Sequence, residues 1–249
     1  MSARLRLRVA SYNIHRCVGA DGLYLPTRIA GVLTQLQADI IGLQEVAAGS
    51  HAPRAEEQLE LLARLSGLHR VFGATMRRSD GGYGNALLSR YPIREVRSID
   101  LSYGPYEPRG AIDADVDCDG HELRVLVTHL GLRAGERSEQ VRRLLGALGA
   151  HRGALIVMGD FNEWSPASTR LRRMRRRLGR AYARPTFPAW RPLFPLDRIW
   201  VLPKKLVVAT GRHHTPLARV ASDHLPVWTA LQLDGELAPT TGSSGPVRG

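Results

Sequence analysis

Leu155-Ile156-Val157-Met158-Gly159-Asp160-Phe161-Asn162 is the stretch that decides how this chain folds. Its first four residues form an apolar run of strand length bounded by glycine, so Asp160 and Asn162 project from the carboxyl end of a buried strand. Further on, Ser222-Asp223-His224 stands immediately before Leu225-Pro226-Val227-Trp228-Thr229-Ala230-Leu231, a second run of strand character. Each segment sets a carboxylate beside a group that can contact phosphate oxygen or carry a proton. A hard cation such as Mg²⁺ takes carboxylate and phosphate oxygens, and imidazole titrates near neutrality. The two segments together point to metal-assisted cleavage of a phosphate ester.

Alone, a strand-end Asp serves a turn or a helix cap as readily as a cation. The rest of the chain repeats the pattern. Leu5, Leu7 and Val9 alternate into Ser11-Tyr12-Asn13-Ile14-His15, and Ile40-Ile41-Gly42-Leu43-Gln44-Glu45 is an apolar strand ending in a carboxylate. Tyr83-Gly84-Asn85-Ala86-Leu87-Leu88-Ser89, Arg109-Gly110-Ala111, Val127-Thr128-His129-Leu130 and Leu196-Asp197-Arg198-Ile199 follow in order. Polar groups recur where apolar strands stop, as a site assembled from strand ends requires.

Patterning predicts strands near 5–12, 39–45, 85–90, 109–117, 122–129, 154–159, 196–202, 206–210 and 225–233, and helices near 26–37, 55–67, 137–150 and 166–178. Hairpin-like pairs, such as 111–117 with 123–129 around Cys118-Asp119-Gly120, do not suit a purely parallel doubly wound sheet. They suit two mixed sheets packed face to face with helices outside.

The ordered motifs SYNIH, LQEV, YGNALLSR, PRGA, THLG, GDFN, LDRI and SDHLP resemble those of the endonuclease/exonuclease/phosphatase superfamily, the deoxyribonuclease-I-like fold, over roughly residues 5 to 233. The resemblance implies an α/β (α+β) fold, a four-layer α/β/β/α sandwich, as a single catalytic domain over residues 1–233. It implies Glu45 as principal ligand of Mg²⁺, with Mn²⁺ as an alternative, Asn13 beside it, and Asp223 on the metal side. Asp160 would hold or deprotonate the attacking water, and Asn162 would donate to a phosphate oxygen that gains charge in the transition state. His224 would pair with Asp197. Which of His224 and Asp160 is the base stays open. His129 matches a second acid/base residue whose partner is Glu in secreted deoxyribonucleases. Asn85 stands at that place here, so His129, with Asn85, Arg109 and Tyr83, is expected to contact phosphate. His15 falls outside this set.

The chain has 249 residues, a net charge of +12 and two cysteines, Cys17 and Cys118, which make no disulfide framework. No apolar run approaches the ~20 residues that span a bilayer. The amino terminus alternates charge with apolar residues and lacks a signal-peptide core, so the expectation is a cytoplasmic protein acting as a monomer. Residues 234–249, rich in Gly, Pro, Ser and Thr, read as a disordered tail.

Residues 170–180 carry seven arginines, with Leu171, Met174 and Leu178 at helical spacing and Ser165-Pro166 or Ser168 able to start the helix. This is either a solvated basic face or a landing strip for a polyanion, nucleic acid or an anionic membrane. Phe187, Trp190 and Phe194, in the Pro-rich segment before Asp197, could stack on bases, enter a lipid interface or pack against the sandwich edge. Nucleic acid, DNA or RNA, is the first expectation for the substrate. A phospholipid or inositol-phosphate ester is the alternative, and a non-catalytic polyanion-binding domain the third reading.

Overall fold

The computed structural model describes residues 4–47, 55–76, 82–149 and 153–233; the tail expected over 234–249 lies outside them. Eleven strands form two mixed sheets. The first holds β1 (Leu5–Asn13), β2 (Ile40–Ala47), β3 (His69–Met76), β4 (Tyr83–Ser89), β10 (Val207–Arg212) and β11 (Val227–Leu233), in the order β10-β11-β1-β2-β4-β3. The second holds β5 (Ile93–Asp100), β6 (Gly110–Cys118), β7 (His121–His129), β8 (Ala154–Asp160) and β9 (Asp197–Leu202), in that order. Only the central pairs β1/β2 and β7/β8 are parallel; all other neighbours are antiparallel.

Three apolar layers hold the sheets and helices together. Leu7, Val9 and Ile40 of the first sheet meet Val125, Ile156 and Met158 of the second. The outer face of the first sheet (Ala10, Tyr12, Leu43) is covered by α1 (Pro26–Leu36), α2 (Ala55–Ser66) and α5 (Pro216–Ala221). The outer face of the second (Leu126, Leu155, Trp200) is covered by α3 (Ala134–Leu148) and α4 (Thr169–Leu178). These are the four layers expected, with the core on both sides of each sheet. Near-continuous burial of β1, β2 and β8 follows, since both of their faces are covered.

Local rules account for the boundaries. Asp119 and Gly120 take positive φ (53° and 86°) between Cys118 and His121, the two-residue turn that matches hairpin twist. Of the two candidate starts for the arginine helix, Ser168 is the cap: its Oγ accepts from Leu171 N at 3.1 Å. The sequence pattern missed β3, β5 and α5.

The parallel pairing matters for the site. Strands β1, β2, β7 and β8 all run to the same end of the sandwich, so Asn13, Glu45, His129 and Asp160 arrive there together, with His129 opposite Asp160 in register. Antiparallel β9 begins at that end with Asp197 opposite Asp160, and the turn into β11 brings His224.

Candidate active site

Asp160 lies at the centre and is almost fully buried. Its Oδ1 accepts from Asn162 N at 2.9 Å, and its Oδ2 from Asn13 Nδ2 at 3.1 Å. His129 Nε2 and His224 Nε2 face Oδ2 from two sides at 3.5 and 3.7 Å. Gly159 makes this possible. Its φ is +153°, and a Cβ there would lie 1.9 Å from Thr128 O of the parallel neighbour. Only glycine lets β8 press so closely on β7 just before the carboxylate.

His224 Nδ1 is 2.8 Å from Asp197 Oδ2, which also accepts from Thr186 Oγ1 at 2.5 Å. Asp197 accepts without donating, so Nδ1 carries hydrogen and Nε2 points at Asp160. Burial on its own lowers the imidazole pKa, but the carboxylates of Asp197 and Asp160 outweigh it and raise His224 to about 10. Asp160 moves up to about 6, because burial and the nearby Asp197 outweigh the pull of His224. The loop carrying His224 is fixed by Ser222, whose Oγ donates to Asn13 O at 2.7 Å and accepts from His224 N at 3.2 Å.

His129 has the opposite character. Arg109 Nη1, which can only donate, sits 3.1 Å from its Nδ1. Nδ1 is therefore the acceptor and Nε2 carries the hydrogen toward Asp160. Burial, Arg109 and His224 all lower its pKa, well below the ordinary value, so His129 is a neutral donor. Asn162 Nδ2 donates to Leu130 O at 2.8 Å; with the imidazole hydrogen on Nε2, its 3.1 Å approach to His129 Nε2 sets two donors side by side and makes no hydrogen bond, so its second hydrogen is left spare.

Glu45 stands in a bulge of β2 against β4 with φ +58°, and Asn162 has φ +47°. Backbone held this way at site residues re-aims side chains at a cost of order 1–3 kcal/mol each. Glu45 Oε1 accepts from Asn13 Nδ2 at 3.1 Å, and Arg16 Nε lies 4.0 Å from Oε2. One amide group thus bridges the Glu45 and Asp160 carboxylates, while Asn13 Oδ1 accepts from His15 N. Asp223 lines the same cleft, with its Oδ1 3.9 Å from His15 Nδ1.

The cleft, of about 380 Å³, is lined among others by Glu45, Tyr83, Arg109, His129, Asp160, Asn162, Asp223 and His224. Asn85 is placed differently from the rest: it is buried and its Nδ2 donates to Gly110 O at 3.0 Å, away from the cleft lining. Arg109 touches Tyr83 Oη, His129 Nδ1 and Glu107 through one nitrogen, so it orients His129 from behind. Phe187 lies against His224 at 4.9 Å, and Trp164 stacks edgewise on Phe187 and Phe194.

Pattern reading missed Trp164, Thr186 and Ser222. Only Ser222, standing inside the SDH motif, carried a signal in the sequence. The arginine helix does not line the cleft; Arg173, Arg176 and Arg177 instead border a separate groove against Arg142 and Leu145 of α3. Arg170 is tied to buried Glu163, which Arg137 also approaches at 3.6 Å.

Asp160, Asp197 and His224 offer ligand atoms within 4.8 Å of one another. Asp197 is fully buried behind His224 and outside the cleft lining, with its Oδ2 held by His224 and Thr186, so the donors placed to hold a cation are those facing the cleft. Glu45, Asp160 and Asp223 supply carboxylate oxygens, the set a hard cation prefers, and Glu45 and Asp160 converge on the one amide of Asn13, with His224 facing only Asp160. The residues fit a divalent metal.

Carboxylates and oppositely tuned imidazoles at the strand ends of a two-sheet sandwich define a phosphoester hydrolase. The sequence profile of the Endonuclease/Exonuclease/phosphatase family matches residues 10–224, and the chain belongs to that family. It is 30% identical to the uncharacterized protein YbhP of Escherichia coli K12 over 251 aligned positions, 91% of this chain and 96% of YbhP. The structure resembles an endonuclease/exonuclease/phosphatase from Beutenbergia cavernae (TM-score 0.71, 26% identity, 92% of this chain and 72% of that one). It also shares its fold with the human nocturnin catalytic domain (TM-score 0.70, 24% identity, 92% and 96% covered). Among the described residues no helix is long and apolar enough to cross a membrane.

Proposed function

We propose that the chain is a divalent-cation-dependent phosphodiesterase, with Mg²⁺ the expected ion and Mn²⁺ a substitute. The observation that carries this reading is Asp160 set between neutral His129 and cationic His224, with Glu45 one amide away. When bound, the cation would be held by Glu45 with Asp160 or Asp223, and would neutralise phosphate charge. Asp160, raised toward neutrality, accepts the proton of the attacking water as the water oxygen bonds to phosphorus and the P–O bond to the leaving alcohol breaks, and the departing oxygen takes up a proton from solvent. His224 Nε2–H, His129 Nε2–H and the spare Asn162 N–H donate to non-bridging oxygens as charge builds on them, which favours the transition state over the ground state. Asp197 and Arg109 keep the two rings in the required tautomers.

Nucleic acid as substrate is supported by Trp164, Phe187 and Phe194 beside His224, which offer faces to a base. The arginine helix adds nothing to that reading at the cleft itself. A phosphodiester lipid is supported by a different observation, exposed Leu132 at the cleft wall and exposed Leu23, Leu25 and Leu193 on the loops nearby. A Mg²⁺-dependent activity panel of single-stranded, nicked and abasic DNA, RNA, phospholipids and bis-p-nitrophenyl phosphate tests the proposal. Turnover of at least one diester is expected, and inactivity on all would overturn it.

A further inference from the structure

Thirteen large hydrophobic side chains are exposed among the described residues, and only Leu65, Val96 and Val208 lie away from the catalytic end. Leu23 and Leu25 follow β1, Tyr103 and Tyr106 precede β6, and Leu132 follows β7. Trp164 follows β8, Val220 sits on α5 just before Ser222, and Trp190, Leu193 and Phe194 precede β9. Hydrogen bonds tie the loops on one side of this end together. Ala20 N donates to Val220 O at 3.1 Å, Arg219 Nη2 to Trp190 O at 3.1 Å, and Ala189 N to Asp223 O at 2.7 Å. On the other side Arg133, beside Leu132, lies 5.0 Å over the Tyr106 ring.

Two features select the occupant. The most exposed members are Leu132 (67%), Trp190 (62%), Leu23 (56%) and Leu193 (56%). Three of these are aliphatic, with no flat face to stack on a base, and their exposure is repaid only where they leave water for an apolar medium. Trp190 suits the boundary between headgroups and acyl chains. The charges on the same loops are complementary to an anionic surface. Arg133, Arg191 and Arg219 are exposed there, and Arg16 is exposed beside Glu45 at the cleft wall; of the acids, Asp21 and Glu107 are each paired with an arginine and Asp223 faces the cleft. Apolar tips ringed by arginine match an anionic bilayer better than they match a nucleic acid.

We propose that these loops dock the protein reversibly on an anionic lipid surface and present the cleft to a phosphodiester headgroup held there. The choice of headgroup as substrate rests on the phosphodiesterase reading; the docking itself does not. No membrane-spanning segment is needed, since shallow insertion of a few apolar side chains with cationic support gives reversible binding.

Sedimentation with vesicles of phosphatidylcholine and phosphatidylglycerol in equal amounts tests the docking, with bis-p-nitrophenyl phosphate turnover measured on the same samples. Wild type should bind these vesicles, bind pure phosphatidylcholine weakly, and release as salt is raised. Replacing Leu23, Trp190, Leu193 and Val220 together by Ser should weaken association by roughly tenfold or more and leave small-diester turnover unchanged. Leu193→Ser alone should show part of the loss, which covers a failure of the fourfold variant to fold. Ser at Leu65, Val96 and Val208 should change nothing. Docking is overturned if wild type ignores anionic vesicles, if the fourfold variant sediments like wild type, or if its substitutions remove binding of a single-stranded oligonucleotide and spare vesicles. Vesicle binding without any diester turnover would support docking and overturn the catalytic reading alone.

Discussion

At the scale of single residues, the site works by driving similar groups apart in pKa. His224 is held charged by Asp197 and Asp160, while His129 is kept neutral by burial and Arg109. His224 is raised from 6.5 to about 10, so its pairing stabilises the fold fully below the ordinary value and that contribution is lost as pH rises through about 10. Asp160 has the opposite sign: raised from 3.8 to about 6, it costs stability as pH climbs between those values and the buried carboxyl ionises. The proposed mechanism requires Asp160 ionised and His224 protonated. A profile of kcat/KM for a small diester should therefore rise through about pH 6 and fall toward 10. Asp197→Asn removes the closest carboxylate and should move the descending limb to lower pH; an unmoved limb would remove Asp197 from that role. His224→Ala and Asp160→Asn should each abolish most turnover, while the double variant should be little worse than either, because the two act as a unit. Multiplying losses would mean that they act independently.

At the scale of elements, the close pressing of β7 on β8 carries the site. Gly159→Ala should cost about 2 kcal/mol or more, lowering Tm by roughly 4–8 °C for a domain of this size; an unchanged Tm would show that the strands can part without penalty. The buried central strands and their polar ends were legible because both faces of β1, β2 and β8 are covered, so their sequences are nearly all apolar until they stop. Strand β5 was not legible. It is an edge strand whose Arg94, Glu95 and Arg97 face solvent or pair with Asp113, Asp115 and Asp117. Edge strands carry such charge as protection against pairing. Helix α5 is six residues long with Ala218 and Ala221 buried, too short for a period to register. Asn85 shows the other limit, since nothing in the sequence indicates that Gly110 O claims its amide. Helix α4 was legible as an element, but its place beside α3 rather than at the cleft is a tertiary fact. Replacing Arg172, Arg173, Arg175, Arg176 and Arg177 by Gln should therefore leave turnover of a small diester unchanged. If the helix binds nucleic acid, the log–log salt slope should shrink by roughly 0.7–0.9 for each phosphate that the variant no longer neutralises. A fall in small-diester turnover would place the helix in the chemistry after all.

At the scale of the whole molecule, two sheets stacked face to face bring two parallel strand pairs to one end, and each pair contributes an acid and a polar partner. Asn13 and Glu45 come from one sheet; His129 and Asp160 come from the other. The site lies across the sandwich, so its geometry depends on the packing between the sheets, where Gly42 leaves room for Val127 and Met158. Glu45 is the carboxylate on which the proposed cation depends most, since it faces the cleft with only the amide of Asn13 and the exposed Arg16, 4.0 Å away, as partners. The most direct test is hydrolysis of bis-p-nitrophenyl phosphate by wild type and Glu45→Gln, each with Mg²⁺ and with EDTA, with folding followed by circular dichroism. Turnover should require Mg²⁺, vanish in EDTA and fall by orders of magnitude in the folded Glu45→Gln protein. Wild-type turnover that survives EDTA, or a Glu45→Gln protein as active as wild type, would contradict a cation-dependent phosphodiesterase at this end of the sandwich.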